Sequence, residues 1–430
     1  MRLGGRLAAA IDILTDIETR RRPVADALKD WGLSHRFAGS GDRAAIGNIV
    51  YDALRMRLSH AYMLGDDSPA SLAHAVLFRQ WGVSPEKFAD EIEGDRFAPP
   101  PLPAEAIAAF GDRRLSDAPS HVQADVPEWI GPSLAENFGE DWITEAQGLA
   151  ARPPLDLRVN TLKADRSRVE KALARSGAVA APIARQGLRI PSGSGPDRLP
   201  NVTAEPAFHK GWFEVQDEGS QIVADLMLAI PGEQVLDFCA GGGGKRLAMA
   251  ASMNNKGQVH AYDADRKRLA PIVERLKRAG TRNVQFHEER GSLDPMSGRF
   301  DRVLVDVPCT GTGTWRRRPD TKWRLTERNL EERLAQQRMV LSEAAGFVRP
   351  GGILAYVTCS VLPQENQQQI AAFLVDHPEF EAVAASESWQ SLFGPDKPMP
   401  YSQDGKTLTL TPASTDTDGF FFAALQRQPG

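Results

Sequence analysis

Between Gly41 and Arg55 the run GDRAAIGNIVYDALR places Ala45, Ile46, Ile49, Val50, Ala53 and Leu54 at i, i+1, i+4 and i+5 spacings. That is the apolar stripe of an amphipathic helix. Asp42, just ahead of the stripe, is read as its N-cap. Similar Ala/Leu/Arg-rich periodicity runs from Leu7 to about Trp81 with no alternating strand pattern, so residues 1–95 are predicted to form a small helical bundle. The stretch Phe97-Ala98-Pro99-Pro100-Pro101-Leu102-Pro103 cannot continue a helix and favours extended polyproline geometry, which predicts a linker over 96–125.

From Pro127 a helical pattern leads into Leu155-Asp156-Leu157-Arg158-Val159-Asn160, whose alternation reads as a strand, and then into a charged helix ending near Gly177. Residues 126–205 are expected to be a compact α/β module. From about Pro206 the apolar strands QVLDF, QVHAY, NVQF, RVLVD and ILAYV alternate with helical patterns in MAASM, RLAPIVERLKRAG and NLEERLAQQRMVLSEAAGFV. Such repetition predicts an α/β domain over 206–430 built on a doubly wound, mostly parallel sheet. Two β segments in the tail, LTLTP and GFFFAAL, are expected to add an antiparallel edge pair.

Composition narrows the partners. At 430 residues, 42% hydrophobic and 25% charged, the chain has room for two or three folded domains and no sign of wholesale disorder. Its amino terminus has no uninterrupted apolar core, so a cytoplasmic protein without a membrane partner is expected. The net charge of -5 argues against an overall basic field, and any contact with phosphates must come from local patches. Cys239, Cys309 and Cys359 lie far apart with no CxxC pair, which argues for free thiols over a zinc cluster or disulfide framework, and no metal is expected.

The strand Val235-Leu236-Asp237-Phe238 runs into Cys239-Ala240-Gly241-Gly242-Gly243-Gly244-Lys245 and then a helix. A glycine-rich loop at the carboxyl end of a first strand is where open α/β sheets bind ligands. A Walker loop would need Gly in place of Cys239 and Ser or Thr in place of Arg246, and GxGxxG would need Gly at Arg246 or Leu247, so both phosphate-binding readings fail. Asp263, at the end of the next strand, is placed to accept hydrogen bonds from both ribose hydroxyls of an adenosine. Together they suggest S-adenosylmethionine. By themselves the glycines also suit a plain strand-to-helix turn, with Asp263 capping a helix from Arg266 to Leu276.

Two thiols decide the chemistry. The strand Asp301–Asp306 ends in Val307-Pro308-Cys309-Thr310-Gly311, and the strand Ile353–Val357 ends in Thr358-Cys359-Ser360. Strands joined by one crossover helix usually lie side by side, so both cysteines should emerge at the same carboxyl edge as the glycine loop. Carbon 5 of cytosine accepts a methyl group only after a thiolate has added to carbon 6 and made the ring enamine-like. The thiol must be activated, and a nearby group must hold a proton at N3, for which Asp306 is placed. A second cysteine has a role in, or near, removal of the carbon-5 proton and elimination. One isolated strand-end cysteine would be read as a small core hydrophobe; two, each in a strand-end motif, reverse that reading.

FDRVLVDVPCTG with YVTCS, DFCAGGGGK and LPQEN resembles the RsmB/NOP (Sun-type) family of RNA cytosine-5 methyltransferases, and its RsmB-like bacterial branch in particular. The likeness covers the 206–430 region nearly end to end and extends upstream through LRVNTLK and VQDEGSQ. It implies a class I methyltransferase fold preceded by a small α/β RNA-binding module and a NusB-like helical domain, although the helical part is shorter than usual. It implies methyl transfer from S-adenosylmethionine to carbon 5 of a cytosine in RNA, with 16S ribosomal RNA as substrate. Cys359, in the Thr-Cys motif, would be the nucleophile, and Cys309, in the Pro-Cys motif, would assist product release. Spacing alone does not tell which of the two attacks. The family's acidic residue near adenine on the third strand is replaced here by Phe286-His287-Glu288-Glu289, from which Glu289 is taken, with Glu288 as the other choice.

After the Pro-Cys motif the run Thr314-Trp315-Arg316-Arg317-Arg318-Pro319-Asp320-Thr321-Lys322-Trp323-Arg324 is basic and aromatic. Trp315 is expected to stack on an unpaired base, and Arg316, Arg317, Arg318, Lys322 and Arg324 to neutralise phosphates. A solvated charged loop with one tryptophan in the core would look the same in sequence. Lys245 is read as contacting the cofactor or a substrate phosphate, or as capping its own helix. A monomer is expected. The competing readings are methylation of transfer RNA, another RNA or DNA, and a non-catalytic RNA-binding assembly factor that keeps the fold.

Overall fold

The computed structural model describes residues 1–269 and 272–429, without the side chain of Arg266. Two compact units emerge. One comprises Met1–Pro153 with Ser192–Leu199 and Trp315–Arg324; the other comprises Pro154–Pro191, Pro200–Thr314 and Leu325–Gly430.

The first unit is helical. Leu3–Arg20, Ser40–Arg55 and Pro69–Arg79 bury Leu7, Ala10, Leu14, Ile46, Ile49, Val50, Ala53, Ala73, Val76 and Leu77 in one cluster. Helix starts follow local chemistry. Ser68 and Ser84 accept hydrogen bonds from the amides of Ser71 and Lys87, each with a proline at the first helical position, where a missing N–H costs nothing. Asp42 is not the N-cap: the helix opens at Ser40, and Asp42 sits in its first turn, accepting from the Gly39 amide and from Arg6. Within 96–125, residues 96–103 form no helix, whereas Ala104–Asp112 does, and Ala106, Ala118 and Ala124 are buried. Further helices over Gly131–Phe138 and Trp142–Ala150 belong to this unit.

The second unit holds two sheets. β1 (Leu155–Val159), β2 (Val179–Ala180), β3 (Gly187–Ile190) and β4 (Phe213–Val215) form an antiparallel sheet in the order β2-β3-β1-β4. The larger sheet contains β5 (Gln234–Asp237), β6 (Gln258–Tyr262), β7 (Val284–His287), β8 (Phe300–Asp306), β9 (Val348–Thr358), β10 (Phe380–Ala382), β11 (Thr407–Leu410) and β12 (Phe420–Arg427). Its order is β10-β12-β9-β8-β5-β6-β7, with β11 on β12. β5 to β9 pair in parallel and β12 runs antiparallel to β9. The expected helix over RLAPIVERLKRAG is seen over Ile272–Ala279, while Ala270 and Pro271 lie outside the described residues.

Both faces of this sheet are covered, which is why its strands read as nearly continuous apolar runs. Leu304, Phe420 and Phe422 point into one core, whereas Val303, Val305, Phe421 and Ala423 point into the other. β11 and β12 do pair antiparallel, but β12 is interior and lies between β10 and β9. Its Phe-Phe-Phe run is buried on both faces, and an edge position would have left much of it in water. Among the described residues no helix is long and apolar enough to cross a membrane.

Candidate active site

The parallel pairing of β8 and β9 sets Asp306 opposite Val357, so the two cysteine loops leave neighbouring strands at the same edge. Cys309 Sγ and Cys359 Sγ lie 3.4 Å apart, both half-buried. The loops are stitched together: the Gly313 amide donates to the Cys359 carbonyl at 2.9 Å, the Val361 amide to Thr312 Oγ1 at 2.9 Å, and the hydroxyls of Thr312 and Ser360 meet at 3.0 Å. Gly313 has no room for a side chain, because a Cβ there would stand 2.2 Å from the Gly419 carbonyl oxygen. Its hydrogen bond from the Gly419 amide fixes the loop against the start of β12.

A fully buried carboxylate organises the Pro-Cys loop. Glu365 accepts from the Thr310 amide (2.8 Å), the Thr310 hydroxyl and Gln337 Nε2 (2.8 Å), and the same Gln337 nitrogen reaches the Pro308 carbonyl at 3.0 Å. Its neighbour Asn366 secures the other loop, accepting from Thr358 Oγ1 at 2.7 Å and donating to the Ser360 carbonyl at 3.0 Å. Neither residue was singled out by composition or spacing. The signal was the LPQEN run, polar residues set beside an apolar strand end, which had no assigned role.

Lys245 extends from the end of the glycine loop and donates to Asp306 Oδ2 at 2.7 Å, with its ammonium 5.0 Å from the centre of the Phe420 ring. Burial works against its charge, but the Asp306 carboxylate outweighs burial and keeps Lys245 firmly cationic. Asp306 retains 34% side-chain exposure, so the pair is reachable from the cleft. Cys309 is held well above the usual thiol range, first by its hydrogen bond with Cys359 and then by burial. Burial does the same to Cys239, helped by the carboxylates of Asp237, Asp306 and Asp263, so Cys239 is a protonated wall residue.

The glycine loop is braced from both sides. Gly243 adopts φ +84°, a left-handed conformation that suits glycine, and the helix Gly244–Ser252 begins directly after it. Arg246, which the sequence offered only as the letter that ruled out a Walker loop, is fully buried and donates to the carbonyls of Ala240 (2.5 Å) and Gly241 (3.1 Å). Its guanidinium stands 3.6 Å from Asp237, whose carboxyl burial lifts to about 6 against the pull of Arg246. Asp263 is buried; Oδ2 accepts from the Gly241 amide at 2.8 Å and Oδ1 from the Asp265 amide at 2.9 Å. Each oxygen keeps a further lone pair for a ligand hydroxyl. A Cβ built on Gly242 would meet only open space, so backbone on that side is free to be approached closely.

Glu288 and Glu289 follow β7 and are exposed. The basic and aromatic segment divides. Trp315, Arg316 and Lys322 are buried to within 2% of completely, which corrects their expected role as RNA contacts. Lys322 Nζ donates to the Arg55 carbonyl at 2.8 Å and Arg55 Nε to the Arg316 carbonyl at 2.7 Å, so the segment is a structural strap on the helix Ser40–Arg55. Burial lowers Lys322 to about 8, opposed by Asp125. Arg318 and Arg324 are exposed, Arg324 beside Asp320, and Arg317 is half-buried.

Residues 226–426 match the family described as 16S rRNA methyltransferase RsmB/F, and residues 126–194 match the ferredoxin-like domain of RsmF/B-like methyltransferases. The "Probable ribosomal RNA small subunit methyltransferase B" of Synechocystis sp. is 33% identical over 314 residues, which cover 71% of this chain and 67% of that relative. Among solved structures, PH0851 shares the fold over 99% of this chain and 100% of its own, with TM-score 0.73 and 24% identity. A methyltransferase homologue protein from Pyrococcus horikoshii aligns over 72% of this chain and 97% of its own, with TM-score 0.58 and 26% identity. The sheet order, the paired cysteine loops and these matches agree, and the chain belongs to the RsmB/F family of 16S rRNA methyltransferases.

Proposed function

We propose that this protein transfers a methyl group from S-adenosylmethionine to carbon 5 of a cytosine in small-subunit ribosomal RNA through a covalent Cys359 adduct. The observation that carries the reading is the 3.4 Å approach of Cys309 and Cys359 beside the Lys245–Asp306 pair. S-adenosylmethionine, when bound, supplies an electrophilic methyl group. The glycine loop Cys239–Gly244 would hold it by its backbone, Asp263 by its remaining lone pairs, and Glu289 or Glu288 would supply the acid on the adenine side.

The Cys359 thiolate adds to carbon 6, which breaks the ring's carbon 5–carbon 6 double bond and makes carbon 5 the nucleophile. The proton given up by the Cys359 thiol is taken on at N3, where Asp306, fixed by Lys245, accepts its hydrogen bond and so keeps the adduct neutral; it leaves N3 when the adduct breaks down. Once carbon 5 carries the methyl group, it gives up its proton to a base, the double bond re-forms, and the Cys359–carbon 6 bond breaks. Cys309 retains its proton and donates to the Cys359 sulfur, which stabilises that sulfur as it departs as a thiolate. The exposed Arg318 and Arg324, with Arg317, supply local positive charge for phosphates that a net charge of -5 does not provide. In this reading 1–95 is a NusB-like helical domain, 96–125 a Pro-rich linker, 126–205 a small α/β RNA-binding module and 206–430 the catalytic domain.

The test is a denaturing gel of wild type, Cys309→Ala and Cys359→Ala after incubation with unmodified small-subunit ribosomal RNA and S-adenosylmethionine. A covalent protein–RNA band in Cys309→Ala alone supports the reading. A band only in Cys359→Ala reverses the two roles, and methyl transfer that survives in Cys359→Ala overturns the adduct.

A further inference from the structure

Methyl transfer needs Cys309 and Cys359 in their reduced form, yet their placement also suits oxidation. The two sulfurs stand 3.4 Å apart although 50 residues separate them in the chain. A disulfide bond is about 2 Å long, so the sulfurs have only about 1.4 Å left to close. Both loops are held in place for it. Glu365 fixes Thr310, the neighbour of Cys309, and Asn366 ties together Thr358 and Ser360, which flank Cys359. In an unfolded chain thiols so far apart in sequence seldom meet, whereas folding has already brought these two together. Both cysteines retain some exposure to solvent. Their chemistry is unequal. The Lys245 ammonium is near enough to Cys359 to be stabilised by a negative charge on that sulfur, and a thiolate is the form that attacks an oxidant. Cys309 keeps its proton, through its hydrogen bond with Cys359 and through burial, which suits a thiol that enters in a second step.

We propose that Cys309 and Cys359 are a modification site for hydroperoxides, which link them in a reversible disulfide that takes both thiols out of the cleft and switches the site off. The Cys359 thiolate attacks one peroxide oxygen and the O–O bond breaks. Cys359 becomes a sulfenic acid, and the other oxygen leaves as hydroxide and takes up the proton that Cys359 had lost, giving water. The Cys309 sulfur then attacks the Cys359 sulfur, the S–O bond breaks, and the departing hydroxide takes the Cys309 proton to give a second water. In all, the thiols lose two electrons and the peroxide gains them. Linkage also spares Cys359 from further oxidation to a sulfinic acid, which thiol reductants do not reverse. Formation of the bond rests on the sulfur geometry, whereas its effect on activity rests on the methyl-transfer reading.

The test is mass spectrometry of the full-length protein, exposed to hydrogen peroxide in its native state and, separately, in urea, then alkylated in denaturant and digested. The native protein should yield a peptide pair linked through Cys309 and Cys359, with Cys239 alkylated, and dithiothreitol should release the link. The chain oxidised in urea should yield much less of that pair. In Cys309→Ala, dimedone, which traps sulfenic acids, should label Cys359. Methyl transfer to small-subunit ribosomal RNA by the wild type should fall in step with the linked fraction and return on reduction. A native protein without the linked pair, whether its thiols stay reduced or go on to sulfinic acid, overturns the proposal, as does an equal yield from the chain in urea. Dimedone on Cys309 in Cys359→Ala, with none on Cys359 in Cys309→Ala, overturns the order of attack. A linked protein that still transfers methyl groups undiminished overturns the switch together with the Cys359 adduct, while the disulfide itself stands.

Discussion

Glu365 and Thr310 are joined twice, through the backbone amide and through the hydroxyl, and this pairing holds the loop that carries Cys309. The carboxylate is wholly buried, so its charge is compensated only by the donors around it, with Gln337 as the third. The consequence is that the position of one sulfur depends on a residue that touches neither sulfur.

Replacement of Glu365 by Gln puts an amide N–H where the pocket supplies donors. Folding stability in urea should fall by about 1–3 kcal/mol. Methyl-transfer kcat should fall about tenfold or more while KM for RNA changes less, since the Cys309 loop shifts but the RNA surface does not. Steady-state kinetics and chemical denaturation on the same preparation check both.

Lys245→Met should lower methyl-transfer kcat by about 100-fold, because it strands Asp306 without its cation at the reacting ring. Lys245→Arg should recover part of this, limited by the fit of a larger guanidinium against the Phe420 ring. Asp306→Asn should lose at least as much as Lys245→Met. Circular dichroism distinguishes these losses from unfolding, which none of the three substitutions is expected to cause.

Burial raises the Asp225 carboxyl to about 6 in the folded chain, above an unfolded value near 3.9. The folded state therefore binds the extra proton between these values, and the cost of burying the charge grows as pH rises from about 4 to about 6, then stays constant. Asp225→Asn removes that cost. It should raise stability by about 1–2 kcal/mol at pH 7.5 and have little effect at pH 4, read from denaturation midpoints at the two pH values.

The basic segment separates into two behaviours. Lys322→Met leaves Asp125 and the Arg55 carbonyl without their buried cation, and should destabilise the helical unit by about 3 kcal/mol. Arg318→Ala should leave stability within about 0.5 kcal/mol and weaken RNA binding uniformly across sequences, reducing the salt dependence by about one ion. Melting curves and filter binding across a salt series measure the two effects.

The sequence by itself determined the order of elements and which residues end the central strands. Alternating apolar runs separated by helical stripes dictate a parallel sheet, a parallel sheet collects its strand ends at one edge, and Asp263, Asp306, Cys309 and Cys359 were legible there for that reason. Local patterning carries that much because backbone geometry and burial act at spacings of two and 3.6 residues. What only tertiary structure decided is which polar side chains face each other. Lys245 could have met a phosphate and instead meets Asp306. Arg246 and Glu365, polar letters without an assignment, became buried braces because the chain brought backbone carbonyls and amides to them. Trp315 and Lys322 have the composition of an RNA-facing loop, yet they lie inside, since burial depends on what packs over a segment and not on the segment itself. β12 likewise reads as an edge strand until its three phenylalanines are seen to need cover on both faces, which only the neighbouring strands and helices supply.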